Sequence, residues 1–211
     1  MKLFILGAGT FAVDVLEMVE SRGDLEPAGF LNSLAHPEPG ATLSGLPVYF
    51  ADEIPLPPDA CRLVAGIVST RRRGFIEQML ARGYRFVAVV HRTAIVSPRA
   101  TIGQGCAIGA GAVIAANTRI GDHVVINRGA LIGHDEEIGA FTTIGPGANL
   151  AGGLSVGRGC YIGVGAVIRD HLTIGAGAVV GAGAVVVSDV PPGVVVTGVP
   201  ARVAKTGVDG L

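Results

Sequence analysis

Residues 102–121 read IGQGCAIGAGAVIAANTRIG, and an aliphatic residue returns at every sixth position of this stretch. The same spacing continues without an insertion from residue 90 to residue 186. The aliphatic positions are Val90, Val96, Ile102, Ile108, Ile114, Ile120, Ile126, Ile132, Ile138, Ile144, Leu150, Val156, Ile162, Ile168, Ile174, Val180 and Val186. An ordinary β-sandwich would not keep one phase over this length, so the repeat itself indicates the fold.

Small residues occupy fixed phases of this six-residue period. Glycine follows the aliphatic residue at ten places, beginning with Gly103 and Gly109, and small side chains such as Ala100 and Cys106 stand two positions before it. This pattern is typical of a β-helix, whose short strands stack into a prism. We expect the aliphatic side chains to point inward and the glycines to occupy tight corners, where a Cβ would clash.

The repeat resembles the left-handed parallel β-helix of the hexapeptide acyltransferases. In that family three hexapeptides make one coil of 18 residues, which implies about five coils here, each rising roughly 4.8 Å as neighbouring strands do.

Composition and charge exclude several classes of protein. The 211 residues carry 16 Lys and Arg against 17 Asp and Glu, so nothing favours nucleic acid as a partner. No stretch has the roughly 20 consecutive apolar residues that span a bilayer, so membrane insertion is not expected. Three cysteines are too few for a disulfide framework and indicate a reduced, cytoplasmic location.

The first ninety residues lack the hexapeptide period. An apolar run over residues 2–6 leads into GAGTFA at residues 7–12, and Val13, Leu16 and Val19 follow at helical spacing. A strand, a GxGxxA loop and a helix are typical of the phosphate-binding start of a Rossmann-like unit. Further elements are expected as strands at residues 27–31, 62–68 and 86–90 and as a helix at residues 72–82.

The sequence therefore predicts two domains. Residues 1–90 form a small α/β, Rossmann-like domain that binds a nucleotide-linked ligand, and residues 91–211 form the β-helix. A glycine turn that binds nothing is the alternative for the loop. NAD is disfavoured because Asn32 and Ser33 stand where an acidic residue would bind the ribose.

Arg71, Arg72 and Arg73 follow the third predicted strand of this domain. In open sheets of this type, ligands bind beyond the carboxyl ends of the strands. The three arginines can therefore form a phosphate clamp, or simply a solvated face of the helix that they begin.

His134 is the best candidate for a catalytic base. It lies in NRGALIGHDEEIG at residues 127–139, beside acidic residues on a rigid prism. A carboxylate that accepts from one imidazole nitrogen fixes the tautomer and makes the other nitrogen a base near neutral pH. Gly152 and Gly153 lie one coil above, so we expect a space without side chains opposite the ring, with the Gly152 N–H as oxyanion donor. The alternative is a surface histidine with an acidic neighbour.

The other histidines suggest no metal site. His36 lies in a proline-rich loop, His91 lies at the domain junction, and His123 and His171 lie on the β-helix without the spacing of converging ligands. We therefore expect no metal.

Several segments together resemble the bacterial sugar O- and N-acetyltransferases, which include the sialic acid O-acetyltransferase and the bacillosamine and perosamine N-acetyltransferases. The resemblance covers nearly the whole chain. Its segments are GAGTFAVDVLE (7–17), GFLN (29–32), VHRTAIVSPRATIG (90–103), NRGALIGHDEEIGAF (127–141), GPGANLAGG (145–153) and GAGAVVVSDVPPGVVVTGVPAR (181–202).

This resemblance implies direct acetyl transfer from acetyl-CoA to an amine or hydroxyl of an activated sugar, in a ternary complex. It also implies a homotrimer with each active site between two neighbouring β-helices. The implied catalytic residues are His134, Asp135 and Asn127, the CoA-binding residues are Thr143, Gly152, Val164 and Ala182, and the sugar-binding residues are Gly9, Thr10, Phe11, Asn32, Ser33, Ser69 and Arg73.

The departures from the family pattern concentrate in the acceptor pocket. Thr10 and Phe11 replace the usual glycine and histidine of the loop, Asn32 replaces an aspartate, and residues 68–70 replace Gly-Asn-Asn. A changed acceptor is one interpretation. The other is a non-catalytic binding or assembly module that kept the β-helix and lost its acceptor.

Overall fold

A computed structural model describes all 211 residues, which form an N-terminal α/β domain followed by a left-handed β-helix. The N-terminal elements are β1 (Lys2–Leu6), α1 (Thr10–Arg22), β2 (Glu26–Asn32), β3 (Thr42–Leu43), β4 (Leu46–Phe50), β5 (Cys61–Ala65) and α2 (Arg72–Ala81). The strands form one sheet in the order β3-β4-β2-β1-β5, which is parallel except for the β3-β4 hairpin.

Helices cover both faces of this sheet, as the apolar sequence of β1 requires. Leu3 and Ile5 pack with the buried side of α1, whereas Phe4 and Leu6 pack with the buried side of α2. Strands that are buried on both faces are typical of parallel sheets with crossover helices. The expected Rossmann-like architecture is confirmed.

The β-helix consists of two-residue strands that end in a longer antiparallel hairpin. The strands are β6 (Val89–Val90), β7 (Ile95–Val96), β8 (Thr101–Ile102), β9 (Ala107–Ile108), β10 (Val113–Ile114), β11 (Arg119–Ile120), β12 (Val125–Ile126), β13 (Leu131–Ile132), β14 (Glu137–Ile138), β15 (Thr143–Ile144), β16 (Asn149–Leu150), β17 (Ser155–Val156), β18 (Tyr161–Ile162), β19 (Val167–Ile168), β20 (Thr173–Ile174), β21 (Val179–Val180), β22 (Val185–Val186), β23 (Val194–Gly198) and β24 (Ala201–Thr206).

From β6 to β22, each strand pairs in parallel with the strand 18 residues further along the chain, where there is one. Ile114 thus aligns with Ile132, and Ile132 aligns with Leu150. The second residue of each strand points inward, and these aliphatic side chains join one continuous core. The predicted inward phase and the 18-residue coil are therefore confirmed.

The three faces of the prism differ in what their outward side chains meet. The N-terminal domain covers the first strands of the eight-stranded face, because Val89, Ala107 and Val125 pack in the same cluster as α1. The five-stranded face presents the exposed polar residues Thr101, Arg119, Glu137, Ser155 and Thr173. The six-stranded face presents Ile95, Val113, Leu131, Asn149, Val167 and Val185.

Two sequence predictions in the N-terminal domain need correction. The strand expected at residues 86–90 is reduced to Val89–Val90, which belongs to the β-helix, and to a single bridge between Phe86 and Leu63. The β3-β4 hairpin was not predicted. Its tight turn at Ser44 and Gly45 uses two residues with positive φ, and it extends the sheet beyond β2.

Candidate active site

The corners of the prism carry the candidate site residues. We call the corner that follows the six-stranded face the histidine corner, which stacks residues 116–117, 134–135, 152–153 and 170–171. We call the corner that follows the eight-stranded face the valine corner, which stacks residues 127–128, 145–146, 163–164 and 181–182.

His134 and Asp135 form a hydrogen-bonded pair at the histidine corner. His134 Nδ1 lies 2.7 Å from Asp135 Oδ2, and Asn117 Nδ2, one coil below, donates to Asp135 Oδ1 at 2.9 Å. These two contacts, with Asn117 the larger, lower the pKa of the Asp135 carboxyl, which stays ionised. An ionised acceptor at Nδ1 favours the tautomer in which Nε2 is unprotonated, so Nε2 can act as a base.

Gly152 lies directly above the ring of His134. A Cβ at position 152 would stand 3.3 Å from His134 Nε2, so the ring faces a surface without a side chain, as expected. The Gly152 N–H donates no hydrogen bond within the chain, whereas the neighbouring Gly153 N–H donates to the His134 carbonyl at 2.8 Å. A free donor therefore lies beside the candidate base.

Gly153 does not face His134, contrary to expectation. A Cβ at position 153 would stand 2.5 Å from Nδ1 of His171, which lies on the coil above. His171 is exposed beside Asp170, and its backbone N–H donates to the Gly152 carbonyl at 3.0 Å. The glycine pair therefore separates two imidazole rings, of which the sequence had singled out only one.

Glu136 turns into the prism instead of joining the exposed acidic residues. Its side chain is fully buried, and its Oε1 accepts from the Gly133 N–H at 2.9 Å. Burial raises the pKa of this carboxyl to about 8, so it is protonated at neutral pH. Glu136 stands at the same position of the six-residue repeat as the inward-facing Ala130 and Ala148. This position could have identified Glu136 as a buried residue from the sequence.

Three other predicted residues of the β-helix, Asn127, Val164 and Ala182, lie at the valine corner, not beside His134. Val164 and Ala182 are both exposed. They lie on adjacent coils, which approach so closely that a Cβ on Gly163 would stand 2.6 Å from Ala182 N. Asn127 lies lower on the same corner, where it is buried and donates through Nδ2 to the Ile144 carbonyl at 3.0 Å. Within one chain these residues and His134 do not form a single site.

Thr143 lies in the domain interface, contrary to its expected place at a CoA surface. It is fully buried, and its Oγ1 donates to the Val68 carbonyl and accepts from Arg72, both at 2.7 Å. With both bonds made and no exposed surface, Thr143 has no contact to offer a ligand.

Arg72 is neither a solvated residue nor an exposed clamp. It is 2% exposed, and its guanidinium donates across the interface to the carbonyls of His123, Phe141 and Thr142 at 2.8 to 3.0 Å. No carboxylate pairs with it, and burial lowers its pKa to about 10. The sequence had placed Arg72 on a helix surface because nothing local shows what covers that helix.

A cleft of about 460 Å³ lies beyond the carboxyl ends of β1, β2 and β5. Four predicted sugar-binding residues line it, namely Gly9, Asn32, Ser33 and Ser69. Arg71 lines it as well, which adds positive charge to one wall. Helix α1 begins beside this cleft without a side-chain cap, so its first N–H groups are available to an anion.

Three residues expected in this cleft lie elsewhere. Thr10 is exposed at the start of α1, and Phe11 is half-buried against the core beneath that helix. Arg73 pairs with Glu77 at 3.2 Å and lines a separate depression toward the C-terminal tail. The helical turn points consecutive side chains in different directions, so Arg71 takes the place expected for Arg73.

No group of three His, Cys, Asp or Glu side chains is arranged to hold a metal ion. Neither helix has the length and apolar character needed to cross a bilayer. All three cysteines are buried free thiols.

Comparisons with known proteins agree with this geometry. The family model for bacterial transferase hexapeptide (six repeats) matches residues 99–134. PerB from Caulobacter crescentus, solved in complex with CoA and GDP-perosamine, is 37% identical with a TM-score of 0.88, over 97% of this chain and 98% of that one. A comparison with curated protein sequences gave no match.

Two further solved structures are similar over almost their whole length. The acetyltransferase domain of PglB from Neisseria gonorrhoeae is 36% identical with a TM-score of 0.88, over 96% of this chain and 98% of that one. WeeI from Acinetobacter baumannii is 31% identical with a TM-score of 0.88, over 96% of this chain and 100% of that one. The identity, the coverage and the shared β-helix together show that the chain belongs to the bacterial sugar acetyltransferases of the left-handed β-helix type.

Proposed function

We propose that this acetyltransferase moves an acetyl group from acetyl-CoA to an amino or hydroxyl group of a nucleotide-activated sugar, with His134 as the general base. The observation that carries the proposal is the His134 ring, which Asp135 holds at Nδ1 and which faces Gly152 at Nε2. PerB, a structure of the same family, holds both CoA and a nucleotide sugar.

The residues of the histidine corner support direct transfer. His134 Nε2 removes the proton of the acceptor as the acceptor nitrogen or oxygen bonds to the thioester carbonyl carbon. The carbonyl oxygen becomes an oxyanion, to which the free Gly152 N–H donates. When the carbonyl re-forms, the carbon–sulfur bond breaks and the imidazolium returns the proton to the CoA sulfur.

We infer that a homotrimer completes the site. Predicted CoA-binding residues are divided between the histidine corner, with Gly152, and the valine corner, with Val164 and Ala182. The six-stranded face between these two corners exposes 43% of Leu131 and 41% of Val167. A threefold assembly that buries this aliphatic face brings the histidine corner of one chain to the valine corner of the next.

In this proposal the two domains have different functions. Residues 1–90 bind the nucleotide sugar in the cleft between Gly9, Asn32, Ser69 and Arg71, and residues 91–211 carry the acetyl transfer. Diphosphate oxygens suit the first N–H groups of α1 and the guanidinium of Arg71. We place the reaction in the cytoplasm, since the cysteines are free thiols.

Substitution of His134 tests this function. His134→Ala should lower kcat by about 10²–10⁴-fold, because the base is lost, with nearly unchanged affinity for acetyl-CoA. Acetylation is measured with UDP-, GDP-, dTDP- and CMP-linked amino and hydroxy sugars, and acetyl-CoA affinity is measured by calorimetry. His36→Ala, at an exposed position in the N-terminal domain, is the control.

Two outcomes would contradict the proposal. Wild-type turnover in His134→Ala would exclude the histidine as the base. If the wild-type chain bound no acetyl-CoA, the non-catalytic alternative would replace the transferase.

A further inference from the structure

Glu136 is the one acidic residue buried in the chain, and it lies inside the β-helix. Its column of inward positions on successive coils continues above it with Leu154 and Leu172 and has Thr118 below it. An aliphatic side chain would thus extend an existing apolar column. A carboxyl at this position is less favourable than an aliphatic side chain, because burial removes it from water while its Oε2 has no hydrogen-bond partner. Local violations of packing rules of this kind concentrate at functional sites.

The contacts that Glu136 does make lead to the turn that carries His134. Glu136 Oε1 accepts from the Gly133 N–H at 2.9 Å, and Thr118 Oγ1 donates to the Gly133 carbonyl at 2.7 Å. Thr118 Oγ1 also accepts from the Glu136 N–H at 3.4 Å. Both peptide groups of Gly133, the residue before His134, are therefore held from inside the prism.

The coil above restricts the same turn. A Cβ on Gly133 would stand 2.6 Å from the Ala151 carbonyl and from Gly152 N, so the two coils approach here as closely as glycine allows. A small shift of the Gly133 peptide would therefore change the distance between the His134 ring and Gly152.

We propose that Glu136 is a positioning residue for His134, which holds the Gly133 peptide from inside the β-helix and so sets the place of the imidazole against Gly152. The inference rests on the proposed function of His134. Glu136 itself touches no substrate, since its side chain is fully buried.

The surroundings of Glu136 explain why it can remain inside. The titratable side chains of the same turn, His134 and Asp135, and the pair formed by Glu137 and Arg119 all lie on the outside of the prism. With no charge beside it in the core, burial keeps the carboxyl protonated, and the Gly133 N–H is its one donor. A neutral carboxyl is matched in shape and acceptor geometry by a glutamine amide.

The experiment compares three substitutions at position 136. Glu136→Leu extends the Leu154 column and removes the acceptor, Glu136→Ala places there the residue that the chain uses at Ala130 and Ala148, and Glu136→Gln keeps the acceptor. Leu and Ala should lower kcat about 10- to 100-fold, as a misplaced catalytic group does, with the KM for acetyl-CoA within about twofold. Gln should stay within about threefold of wild-type kcat.

Val190→Ala controls for a general loss of core packing, since Val190 lies in the same core, aligned with Ile174 in the neighbouring inward column. Melting temperatures show that each variant is folded, and Ala replaces Leu if the Leu variant does not fold. Wild-type kcat in a folded Leu or Ala variant, or an equal loss in Gln, overturns the inference. These results differ from failure of the proposed function, which would appear as an inactive wild type or an active His134→Ala.

Discussion

At the scale of single residues, the absence of a side chain at position 152 is what leaves His134 open. Gly152 has φ +137, where side chains are strained, and an added Cβ would lie 3.3 Å from Nε2. We expect Gly152→Ala to lower kcat at least about tenfold, since a methyl group would occupy the place of the substrate. Steady-state kinetics measures the effect.

Gly159→Ala is the matched control for this substitution. Gly159 also has positive φ, but it lies at the corner that follows the five-stranded face, and an added Cβ would meet nothing within 4 Å. Gly159→Ala should lose less stability, since its φ of +68 is one that side chains can adopt, and only Gly152→Ala should lose turnover while it remains folded. Equal kcat in both would show that the surface above the ring is not the reaction site.

The buried carboxyl of Glu136 predicts how stability depends on pH. Its pKa is raised to about 8 by burial, whereas an unfolded glutamate ionises at about 4.3. Between these pH values the folded chain binds more protons than the unfolded chain, so this group makes stability fall as pH rises and costs most above pH 8. Glu136→Gln should therefore melt at least about 3 °C higher than wild type at pH 8, with little difference at pH 4.

Melting curves from pH 4 to pH 9 test this dependence. Glu137→Gln, at the adjacent exposed position, removes a carboxyl without changing the core and serves as the control. Parallel curves for wild type and Glu136→Gln would contradict a protonated carboxyl inside the prism.

At the scale of elements, the buried side chain of Arg72 links α2 to the β-helix. Arg72 is the one donor to the carbonyls of His123 and Phe141, whereas the Thr142 carbonyl also accepts from the Val125 N–H. Each buried group left unsatisfied costs about 1–3 kcal/mol. We expect Arg72→Met to lose roughly 3 kcal/mol or more, which lowers the melting temperature by about 6–12 °C. Arg73→Met, which removes only an exposed pair with Glu77, should cost under about 1 kcal/mol.

Calorimetric unfolding of the two variants gives the comparison. Similar melting temperatures for Arg72→Met and Arg73→Met would show that the buried guanidinium does not hold the domains together.

The elements also show what could be predicted from the sequence. The six-residue period predicted the β-helix because each inward aliphatic residue repeats one packing environment, as Ile114, Ile132 and Leu150 do. Local patterns do not show which surfaces another domain covers, so Thr143 and Arg72 were expected at the surface. The hairpin at residues 42–50 was missed because it has no repeat and only a short turn signal.

At the scale of the whole molecule, the candidate site was predicted in parts. The turn with His134, Asp135 and Gly152 followed from the sequence, because the 18-residue coil places these residues on adjacent turns. The separation of Val164 and Ala182 from His134 did not follow, since it depends on which corner each residue occupies around the prism. This separation is also the reason to expect that one chain does not complete a site.

A charge on the exposed aliphatic side of the six-stranded face should break the proposed trimer. Val167→Lys places a charge on the second strand from the C-terminal end of the six-stranded face without changing the core, since Val167 points outward. We expect the wild type to sediment at three times the chain mass of 21.3 kDa and the variant to sediment as a folded monomer. Acetylation should fall by at least about 100-fold in the monomer, because each site loses the valine corner of its neighbour.

Ser155→Lys is the control, since it adds the same charge on the polar five-stranded face and should leave assembly and turnover intact. Sedimentation at micromolar protein and acetylation kinetics are measured on the same samples. A monomeric wild type would contradict the trimer, and a monomeric but fully active Val167→Lys would show that one chain contains the complete site. If each site combines the histidine corner of one chain with the valine corner of the next, activity must be lost together with the trimer.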